Sequence, residues 1–262
     1  HFPYFNVPIW CPSPFVITIH DLIINHFSTG RASTRQFFLY RLKRISYSLV
    51  LQQAVKRAAA IIAPSQATKE ELLEHYSVDQ SRVHVITEGT LSSFVKERTL
   101  PILHTTERFF LYVGNAYPHK NLERLIDAFV SFRKSDEAPA KEIKLVLVGK
   151  RDFFHERLKS HAVASPSASA IIFAHDVSDD QLIWLYRHAV ALVFPSLMEG
   201  FGLPAVEAMK EGCVVAASDI ASLREVCGTA ALYFNPNNTQ SIASVMSAIA
   251  SPSFAASRMD HI

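Results

Sequence analysis

The sequence predicts an α/β protein with two doubly wound, Rossmann-like domains, and two patterns support this class. From Arg108 onward, six short apolar runs alternate with amphipathic stretches: "RFFLYVG", "IKLVLVG", "AIIFAHDV", "ALVFPS", "CVVAAS" and "ALYF". Apolar runs of this length, separated by helices, are typical of parallel strands that are buried on both faces of a sheet. Three similar runs precede them: "FVITIHDLI", "AAIIAPS" and "RVHVITEG". Alternation of strands and helices favours parallel sheets covered by helices on both faces.

The connecting helices are predicted from apolar spacing and from capping residues. In "NLERLIDAFVSF" the apolar residues share one helix face: Leu122, Leu125, Ile126 and Phe129. A long helix is expected between the first two strands of the earlier part. "QATKEELLEHY" should form the next helix, with Ser65 as its N-cap. One further helix is predicted after Asn238.

The two domains are predicted to span residues 1–100 and 101–262. Residues 90–107 have no clear period, which is typical of a connection between domains. Only three strands precede this connection, which is few for an independent doubly wound domain. We therefore expect the N-terminal domain to lack its beginning.

Composition disfavours several classes of protein. The 26 basic and 24 acidic residues nearly balance, which argues against a uniformly basic nucleic-acid-binding protein. The apolar runs fall short of the roughly 18 residues that a membrane-spanning helix needs. The three cysteines are widely spaced and odd in number, which suits neither a disulfide framework nor a zinc site of paired cysteines. A reducing compartment such as the cytosol is the simplest setting.

Two acidic residues surround a turn between a predicted strand and a predicted helix. "ALVF" is followed by "PSLMEGFG" and then by "LPAVEAMKEG", so Glu199 lies in the turn and Glu207 in the helix. Gly200 and Gly202 would let a ligand approach the backbone closely. Because carboxylates accept hydrogen bonds from paired hydroxyls, the two acids suggest a sugar or ribose ligand. Alternatively, Glu207 is a solvated helix residue and Glu199 a favourable charge near a helix N-terminus.

Two other strand ends carry polar groups that suit a binding site. In "YVGNAYPHKN", Lys120 precedes a helix N-terminus, where its charge opposes the helix dipole unless an anion binds there. In "TIHDL", His20 and Asp21 follow the first strand, and histidine is suited to hydrogen bonding or proton transfer near neutral pH. The alternatives are a solvated lysine and a core histidine held by a backbone carbonyl. The sequence contains no compact Asp/His ligand cluster that would argue for a metal at this site.

Five segments together resemble the retaining family 4 glycosyltransferases of GT-B fold, in which two Rossmann-like domains face a cleft. The segments occur in the family's order and cover nearly the whole chain: "TIHDL", "APSQATKEEL", "YVGNAYPHKNLERLIDAF", "SDDQLIWLYRHAVALVFPS" and "EGFGLPAVEAMKEGCVVAAS". "HKNL" and "HFPYFNVP" are most similar to mannosyl- and rhamnosyl-transferase-like members. The family's first strand and its glycine-rich loop do not precede "HFPYFNVP", which leaves the acceptor side open.

The resemblance implies a catalytic role for three residues. Glu199 would contact the donor hexose, His20 the transferred sugar and Lys120 the pyrophosphate. Further donor-binding positions are implied at the strand ends, with Glu207 on the ribose and Val177 near the nucleobase: Glu207, Gly114, Asn115, Gly200, Phe201, Gly202, Leu203 and Val177. Asn115 stands where many members of the family have an arginine that helps to neutralise the diphosphate.

The implied function is transfer of a hexose, with mannose as one candidate, from a nucleotide diphosphate sugar to a saccharide or lipid-linked acceptor, with retention at the anomeric carbon. The resemblance implies neither cofactor nor metal, because Lys120 and helix N-terminal dipoles would stabilise the leaving diphosphate. Three alternatives stay open. The chain could be a nucleotide-sugar-binding module without catalysis, or an epimerase or phosphorylase of the same fold. A flavodoxin-like signalling domain would leave the acidic pair and the "HKN" turn unexplained.

A basic segment, residues 31–57, suggests a membrane partner. Residues 22–68 contain seven basic residues and no acidic residue. An amphipathic helix with basic and aromatic side chains can lie on anionic lipid, which would suit a lipid-linked acceptor at the inner membrane surface. Alternatively, the segment is a solvated basic face over an ordinary core helix.

Overall fold

The computed structural model describes residues 1–8, 10–11, 14–27, 34–90, 99–100, 107–134 and 138–254, with the backbone alone at helix positions 34–44 and 138–139. The chain divides into two compact units. The first unit combines His1–Gly89 with the short turn Glu199–Gly202. The second unit combines Thr90–Met198 with Leu203–Ile262.

The first unit contains a three-stranded parallel sheet in the order β1-β2-β3. Its strands and helices follow one another along the chain: β1 (Val16–Thr18), α1 (Ile23–His26), α2 (Thr34–Arg57), β2 (Ala60–Ala63), α3 (Gln66–His75) and β3 (Val83–Val85). Val16 pairs with Ala60, and Ile61 pairs with Val83. The core residues Ile17, Ile61 and Leu72 are fully buried. As predicted, the Ser65 side chain caps α3 by accepting a hydrogen bond from the Thr68 amide.

The first predicted strand is shorter in the structure than the sequence indicated. The run "FVITIHDLI" forms a strand only at Val16–Thr18, and Ile23 begins the short helix α1. Asp21 explains the difference, because its Oδ1 accepts a hydrogen bond from the Ile23 amide at 3.0 Å. Such a turn closed by an aspartate side chain competes with the extended backbone of a strand.

The second unit contains a six-stranded parallel sheet in the order β6-β5-β4-β7-β8-β9. Its elements confirm the six predicted strands and the helices between them: β4 (Phe109–Val113), α4 (Leu122–Arg133), α5 (Ala138–Glu142), β5 (Lys144–Val148), α6 (Phe153–Val163), β6 (Ile171–Ala174), α7 (Asp179–His188), β7 (Ala191–Phe194), α8 (Leu203–Lys210), β8 (Val215–Ser218), α9 (Ala221–Cys227), β9 (Ala231–Phe234) and α10 (Thr239–Ala250). The chain adds β5 and β6 on one side of β4 and then returns to add β7 on the other. The sheet therefore has its topological switch point between β4 and β7, where open α/β sheets bind ligands beyond the carboxyl ends of the strands.

The predicted buried face of α4 and the helix predicted after Asn238 are confirmed. The four apolar residues that were expected on one face of α4 are all buried, Ile126 and Phe129 completely. α10 packs against α4 and begins after Asn238, whose Oδ1 accepts hydrogen bonds from the Gln240 and Ser241 amides at 2.9 and 3.1 Å. These contacts fix the helices that cover the sheet, and so they fix the loops at its carboxyl edge.

Only part of the predicted basic segment lies in the described structure. Residues 31–33 and the side chains of residues 34–44 lie outside it, and Thr34–Arg57 is helical. On the described part of α2, Ile45 and Leu49 are exposed four residues apart, and the Arg57 guanidinium donates to the Cys11 carbonyl at 2.8 Å. Among the described residues, no helix has the length and apolar content needed to cross a bilayer.

Candidate functional site

At the switch point of the second unit, the turn after β4 is hydrogen-bonded to the turn after β7. The Leu197 amide donates to the His119 carbonyl at 2.7 Å. β4 and β7 are neighbours in the sheet, and β7 is buried along its whole length. The sheet and this hydrogen bond together hold the "YPHK" turn beside the "PSLM" turn that precedes Glu199.

Lys120 lies at the end of this first turn, directly before α4. Pro118–Lys120 forms a 3-10 turn, and the Lys120 Nζ lies 5.5 Å from the centroid of the Phe194 ring. The side chain of Lys120 is half-buried, so its ammonium is partly shielded from water. A cation in this position interacts with an anion more strongly than a fully solvated lysine does.

Asn121 separates Lys120 from α4 and does not cap the helix. Its φ is 60°, and its side-chain amide donates to the carbonyls of Pro195 and Pro236 at 3.1 and 2.8 Å. Arg124 also donates to the Pro236 carbonyl, at 3.0 Å. Asn121 thus joins the loops that follow β4, β7 and β9. Because its side chain makes no capping bond, the first-turn amides of α4 lack this usual intramolecular acceptor.

His119, next to Lys120, is buried and uncharged at neutral pH. Burial lowers the pKa of His119 to about 4, and the neighbouring Lys120 charge lowers it further in the same direction. His119 therefore adds no positive charge beside Lys120 at pH 7.

Gly114 and Asn115, two further predicted donor-binding residues, shape the start of the same turn. The Gly114 amide donates to the Val148 carbonyl at 2.9 Å, which continues the β4 ladder. The Tyr112 hydroxyl donates to the Asn115 carbonyl at 2.8 Å, and the Asn115 Oδ1 accepts from the Tyr117 amide at 3.3 Å. Asn115 therefore closes the turn locally, which an arginine at this position would not do.

Glu207 is held by Tyr186, a residue that no sequence pattern indicated as part of the site. The Tyr186 hydroxyl donates to the Glu207 Oε2 at 2.9 Å. Tyr186 is buried, and this burial, followed by the charge of Glu207, raises the pKa of its phenol well above its usual range. The phenol therefore stays neutral and remains a donor. Both residues line a cavity of about 160 Å³ between α7 and α8.

Val177 and Leu203 lie at the same edge of the second unit's sheet. Val177 follows β6 and is half-buried, one residue before Ser178, whose side chain caps α7 together with Gln181. The neighbouring His175 donates from its Nδ1 to the Gly149 carbonyl at 2.8 Å, which joins the ends of β5 and β6. Leu203 is the first residue of α8.

The turn Glu199–Gly202 belongs to the first unit, where the Gly200 carbonyl accepts two side-chain hydrogen bonds. Ser65 Oγ donates to it at 2.6 Å and Thr68 Oγ1 at 3.1 Å. A Cβ atom on Gly200 would lie 1.8 Å from the His20 carbonyl oxygen. Glycine was expected here to admit a ligand, whereas in the structure the group that lies close to Gly200 is the His20 backbone. Phe201 in this turn is buried, and Gly202 has a φ of 99°.

His20 is fixed through both ring nitrogens. Nδ1 lies 2.6 Å from the Glu88 Oε1, and Nε2 lies 3.0 Å from the Pro3 carbonyl. Since a carbonyl only accepts, Nε2 carries a hydrogen. The side chain is 39% exposed, so His20 is not a core histidine. Glu88 was not predicted, although its place just after β3 could have indicated it, since the carboxyl ends of parallel strands share one edge.

Two family models match nearly the whole chain. Residues 96–259 match the family model described as "Glycosyl transferases group 1", and residues 1–90 match "Glycosyltransferase Family 4". The chain is 31% identical over 201 residues to the O-antigen chain mannosyltransferase RfbU of Salmonella typhimurium, covering 76% of this chain and 53% of that protein. It is 32% identical over 260 residues to the serotype-specific mannosyltransferase WbdA of Escherichia coli, covering 93% of this chain and 29% of that protein.

The described fold also matches a solved structure. The sucrose-phosphate synthase of Thermosynechococcus elongatus superposes with a TM-score of 0.67 at 22% identity, covering 92% of this chain and 59% of that chain. Of the two mannosyltransferases named above, the chain spans about half the length of RfbU and less than a third of the length of WbdA. Because the group 1 model alone matches more than half of the chain and the Family 4 model matches residues 1–90, the chain belongs to the group 1 glycosyl transferases of GT-B fold, in the branch that resembles mannosyltransferases.

Proposed function

We propose that the chain binds a nucleotide diphosphate sugar and transfers its hexose to a hydroxyl acceptor with retention at the anomeric carbon. The observation that carries this proposal is the paired turn at the β4–β7 switch point, where Lys120 stands before a helix that Asn121 leaves uncapped. A cation beside first-turn amides suits a diphosphate. In this proposal Gly114, Asn115 and the Leu203 amide line the same diphosphate site.

The nucleoside half of the donor is proposed to bind at Glu207. The Tyr186 hydroxyl occupies one oxygen of the Glu207 carboxylate, which fixes its orientation and leaves the other oxygen to accept from a ribose diol. The adjacent cavity of about 160 Å³ offers room beside this carboxylate. Val177 is proposed to contact the nucleobase through its backbone.

The sugar half is proposed to depend on residues of the first unit. Glu199, with the amides of Phe201 and Gly202, would hold the hexose, and His20 would contact the transferred sugar. Support comes from the hydrogen bonds that fix the Glu199–Gly202 turn and the His20 ring. The Gly200 carbonyl is held by two hydroxyls, and both ring nitrogens of His20 are engaged. Groups held in this way lose little freedom when they bind a reacting sugar.

We propose that the transfer needs no metal and no cofactor. The leaving diphosphate would be stabilised by Lys120 and by the amides at the starts of α4 and α8. The attack of the acceptor hydroxyl breaks the bond between the anomeric carbon and the phosphate oxygen and forms a new glycosidic bond. The hydroxyl proton passes to the departing diphosphate.

Mannose is the proposed hexose, and a growing polysaccharide or lipid-linked saccharide is the proposed acceptor. The support is the similarity to RfbU and WbdA, which are named as mannosyltransferases. We also propose that the chain acts in the cytoplasm at a membrane surface. In the described part of α2, Ile45 and Leu49 are exposed on one face, and Lys56 and Arg57 end the helix, which suits contact with anionic lipid.

A second candidate function is nucleotide-sugar binding without catalysis by this chain alone. The observation in its favour is that Lys120 and Glu207, which are proposed to bind the nucleoside diphosphate, belong to the second unit, whereas Glu199 and His20 belong to the first. This candidate predicts the same donor affinity as the first and no transfer of hexose to any acceptor.

A thermal-shift titration with GDP, UDP, ADP and their sugar conjugates tests the donor site. We expect one nucleotide to raise the melting temperature, because a ligand that binds only the folded state stabilises it. Glu207→Ala should abolish most of this shift, while Tyr186→Phe should weaken binding about fivefold by removing one hydrogen bond to the carboxylate. Glu225→Ala, on the exposed face of α9, is the matched control and should leave the shift unchanged.

A transfer assay distinguishes the two candidate functions. Its donor is the sugar conjugate of the nucleotide that stabilises the chain. NMR of the product would report the anomeric configuration and so test retention directly. Stabilisation without transfer would favour the binding module, and the absence of any stabilisation would contradict both candidates.

A further inference from the structure

Three metal-ligating side chains from two helices converge in the first unit. His26 is the last residue of α1, and Glu71 and His75 lie four residues apart on α3. One ligand atom of each side chain lies within 4.8 Å of the others. None of the three residues is among the groups proposed to contact the donor. A search of the described residues for three or more His, Cys, Asp or Glu side chains that are close enough to share an ion finds this group.

His75 is oriented as a metal ligand usually is. Its Nδ1 donates to the Glu71 carbonyl, one helical turn earlier, at 2.9 Å. A carbonyl only accepts, so Nδ1 carries the hydrogen and Nε2 keeps its lone pair. Metal-binding histidines commonly donate their other ring nitrogen to a carbonyl or carboxylate, which fixes both the tautomer and the ring orientation.

Glu71 and His26 complete a set of two imidazoles and one carboxylate. The His26 Nε2 lies 2.9 Å from the Glu71 Oε1, and the ring centroids of His26 and His75 are 5.2 Å apart. Ligands at about 2.0–2.2 Å from a zinc ion are about 3.3–3.6 Å from one another in tetrahedral geometry. Side-chain rotation is therefore enough to bring three atoms that now lie within 4.8 Å of one another onto one ion.

An ion bound by these residues would link α1 to α3. α1 has four residues, no side-chain cap at its N-cap residue and no buried residue, and it is held by hydrogen bonds such as the one from the Asn25 side chain to the Tyr76 hydroxyl at 3.3 Å. A bond from His26 to an ion on α3 would tie this helix to the unit. His26 and His75 are exposed, so an ion could enter from solvent.

We infer that His26, Glu71 and His75 bind one zinc ion, with water as the fourth ligand. Two imidazole nitrogens and one carboxylate oxygen are a ligand set that zinc prefers, whereas magnesium and calcium prefer oxygen alone. The ion would serve to anchor α1, and it is independent of the proposed glycosyl transfer.

A competition titration of Zn²⁺ against a chromogenic chelator tests this site. The wild-type chain should bind one Zn²⁺ per molecule, and His75→Ala and Glu71→Gln should each weaken that affinity at least about tenfold. His161→Ala is the matched control. His161 forms a similar exposed pair with Asp127, at 2.9 Å between Nε2 and Oδ1, on the second unit. This variant should bind Zn²⁺ as the wild type does.

The absorption spectrum of the Co²⁺-loaded wild-type chain supplies a second readout that does not need a stable variant. Visible d–d bands typical of nitrogen and oxygen ligation in four- or five-coordinate geometry are expected, and a spectrum of octahedral hydrated Co²⁺ would overturn the inference. Equal loss of Zn²⁺ affinity in His161→Ala and His75→Ala would also overturn it, since binding would then reflect scattered surface histidines. The melting temperature of the wild type should rise with Zn²⁺ and fall back when the chelator is added in excess.

Discussion

The two units position their proposed site residues by different means. In the second unit, Lys120 and Glu207 follow buried parallel strands, so the sheet itself places them, and single hydrogen bonds such as Leu197 to His119 refine the arrangement. In the first unit, His20 and Gly200 are held by side chains that lie far away along the chain. Ser65 reaches the Gly200 carbonyl across 135 residues, and Glu88 reaches His20 across 68. A site whose residues are placed by a sheet should keep its geometry when one contact is lost. A site whose residues are placed by individual hydrogen bonds should not.

Gly200→Ala should have the largest effect, because it breaks the arrangement of the first unit. The added Cβ would lie 1.8 Å from the His20 carbonyl, a backbone atom that cannot move without shifting β1. We expect a loss of about 3 kcal/mol or more in the free energy of unfolding, measured by urea denaturation. Gly89→Ala is the control, since its Cβ would meet no atom within 4 Å. Equal stability of the two variants would contradict the assigned contact.

Glu199→Gln tests whether the turn of the first unit acts in the chemical step. If Glu199 contacts the hexose mainly in the transition state, turnover should fall by about 100-fold or more. The dissociation constant for the nucleoside diphosphate should change by no more than about threefold. Both are measured on the same preparation, by transfer assay and by calorimetry. Parallel losses of turnover and of nucleotide affinity would remove the role assigned to Glu199.

Lys120→Met tests the sheet-placed site of the second unit. The variant keeps an unbranched side chain of similar length and removes its charge, so a charge-assisted contact to phosphate is lost at a cost of about 2 kcal/mol, or about 30-fold in nucleoside diphosphate affinity. The melting temperature without ligand should hardly change, in contrast to Gly200→Ala. Lys159→Met, on the exposed face of α6, is the control for loss of one positive charge. Salt should weaken binding to the wild type more than to Lys120→Met.

His119 should make the second unit lose stability in mild acid. Its pKa is about 4 when folded and about 6.5 when unfolded, so between these values the unfolded chain holds more protons. Stability must therefore fall as the pH falls through this window. From about pH 7.5 to about pH 5.5 the loss from this group should be about 1 kcal/mol. Urea denaturation of His119→Leu should show a shallower pH dependence than the wild type. Identical slopes would mean that His119 is not buried as a neutral side chain.

The contrast between the units also explains how much the sequence could predict. The strands β4 to β9 and the buried face of α4 follow from local apolar patterns, because most apolar residues of those runs pack in or against one core. The cap at Ser65 is equally local. The first strand was predicted too long because the Asp21 turn overrides the extended tendency of the apolar residues around it.

The candidate site was predictable only where a strand end marked it. Lys120 and Glu207 are visible from the sequence because each stands at a fixed distance after an apolar run. Tyr186 looked like any core aromatic, and nothing in its neighbours indicated the bond to Glu207. The group of His26, Glu71 and His75 left one local signal, the four-residue spacing of Glu71 and His75 on a helix, while His26 joins it from 45 residues away.

The side chain of Asn121 has a consequence for the thermodynamics of donor binding. By donating to Pro195 and Pro236, it crosslinks three loops of the second unit's sheet edge. Loops that are already ordered lose little conformational entropy when a ligand arrives. Calorimetry of the proposed diphosphate site should therefore show binding driven by enthalpy with a small entropic cost. Asn121→Ala should shift that balance, giving a larger unfavourable entropy even where the same phosphate contacts form.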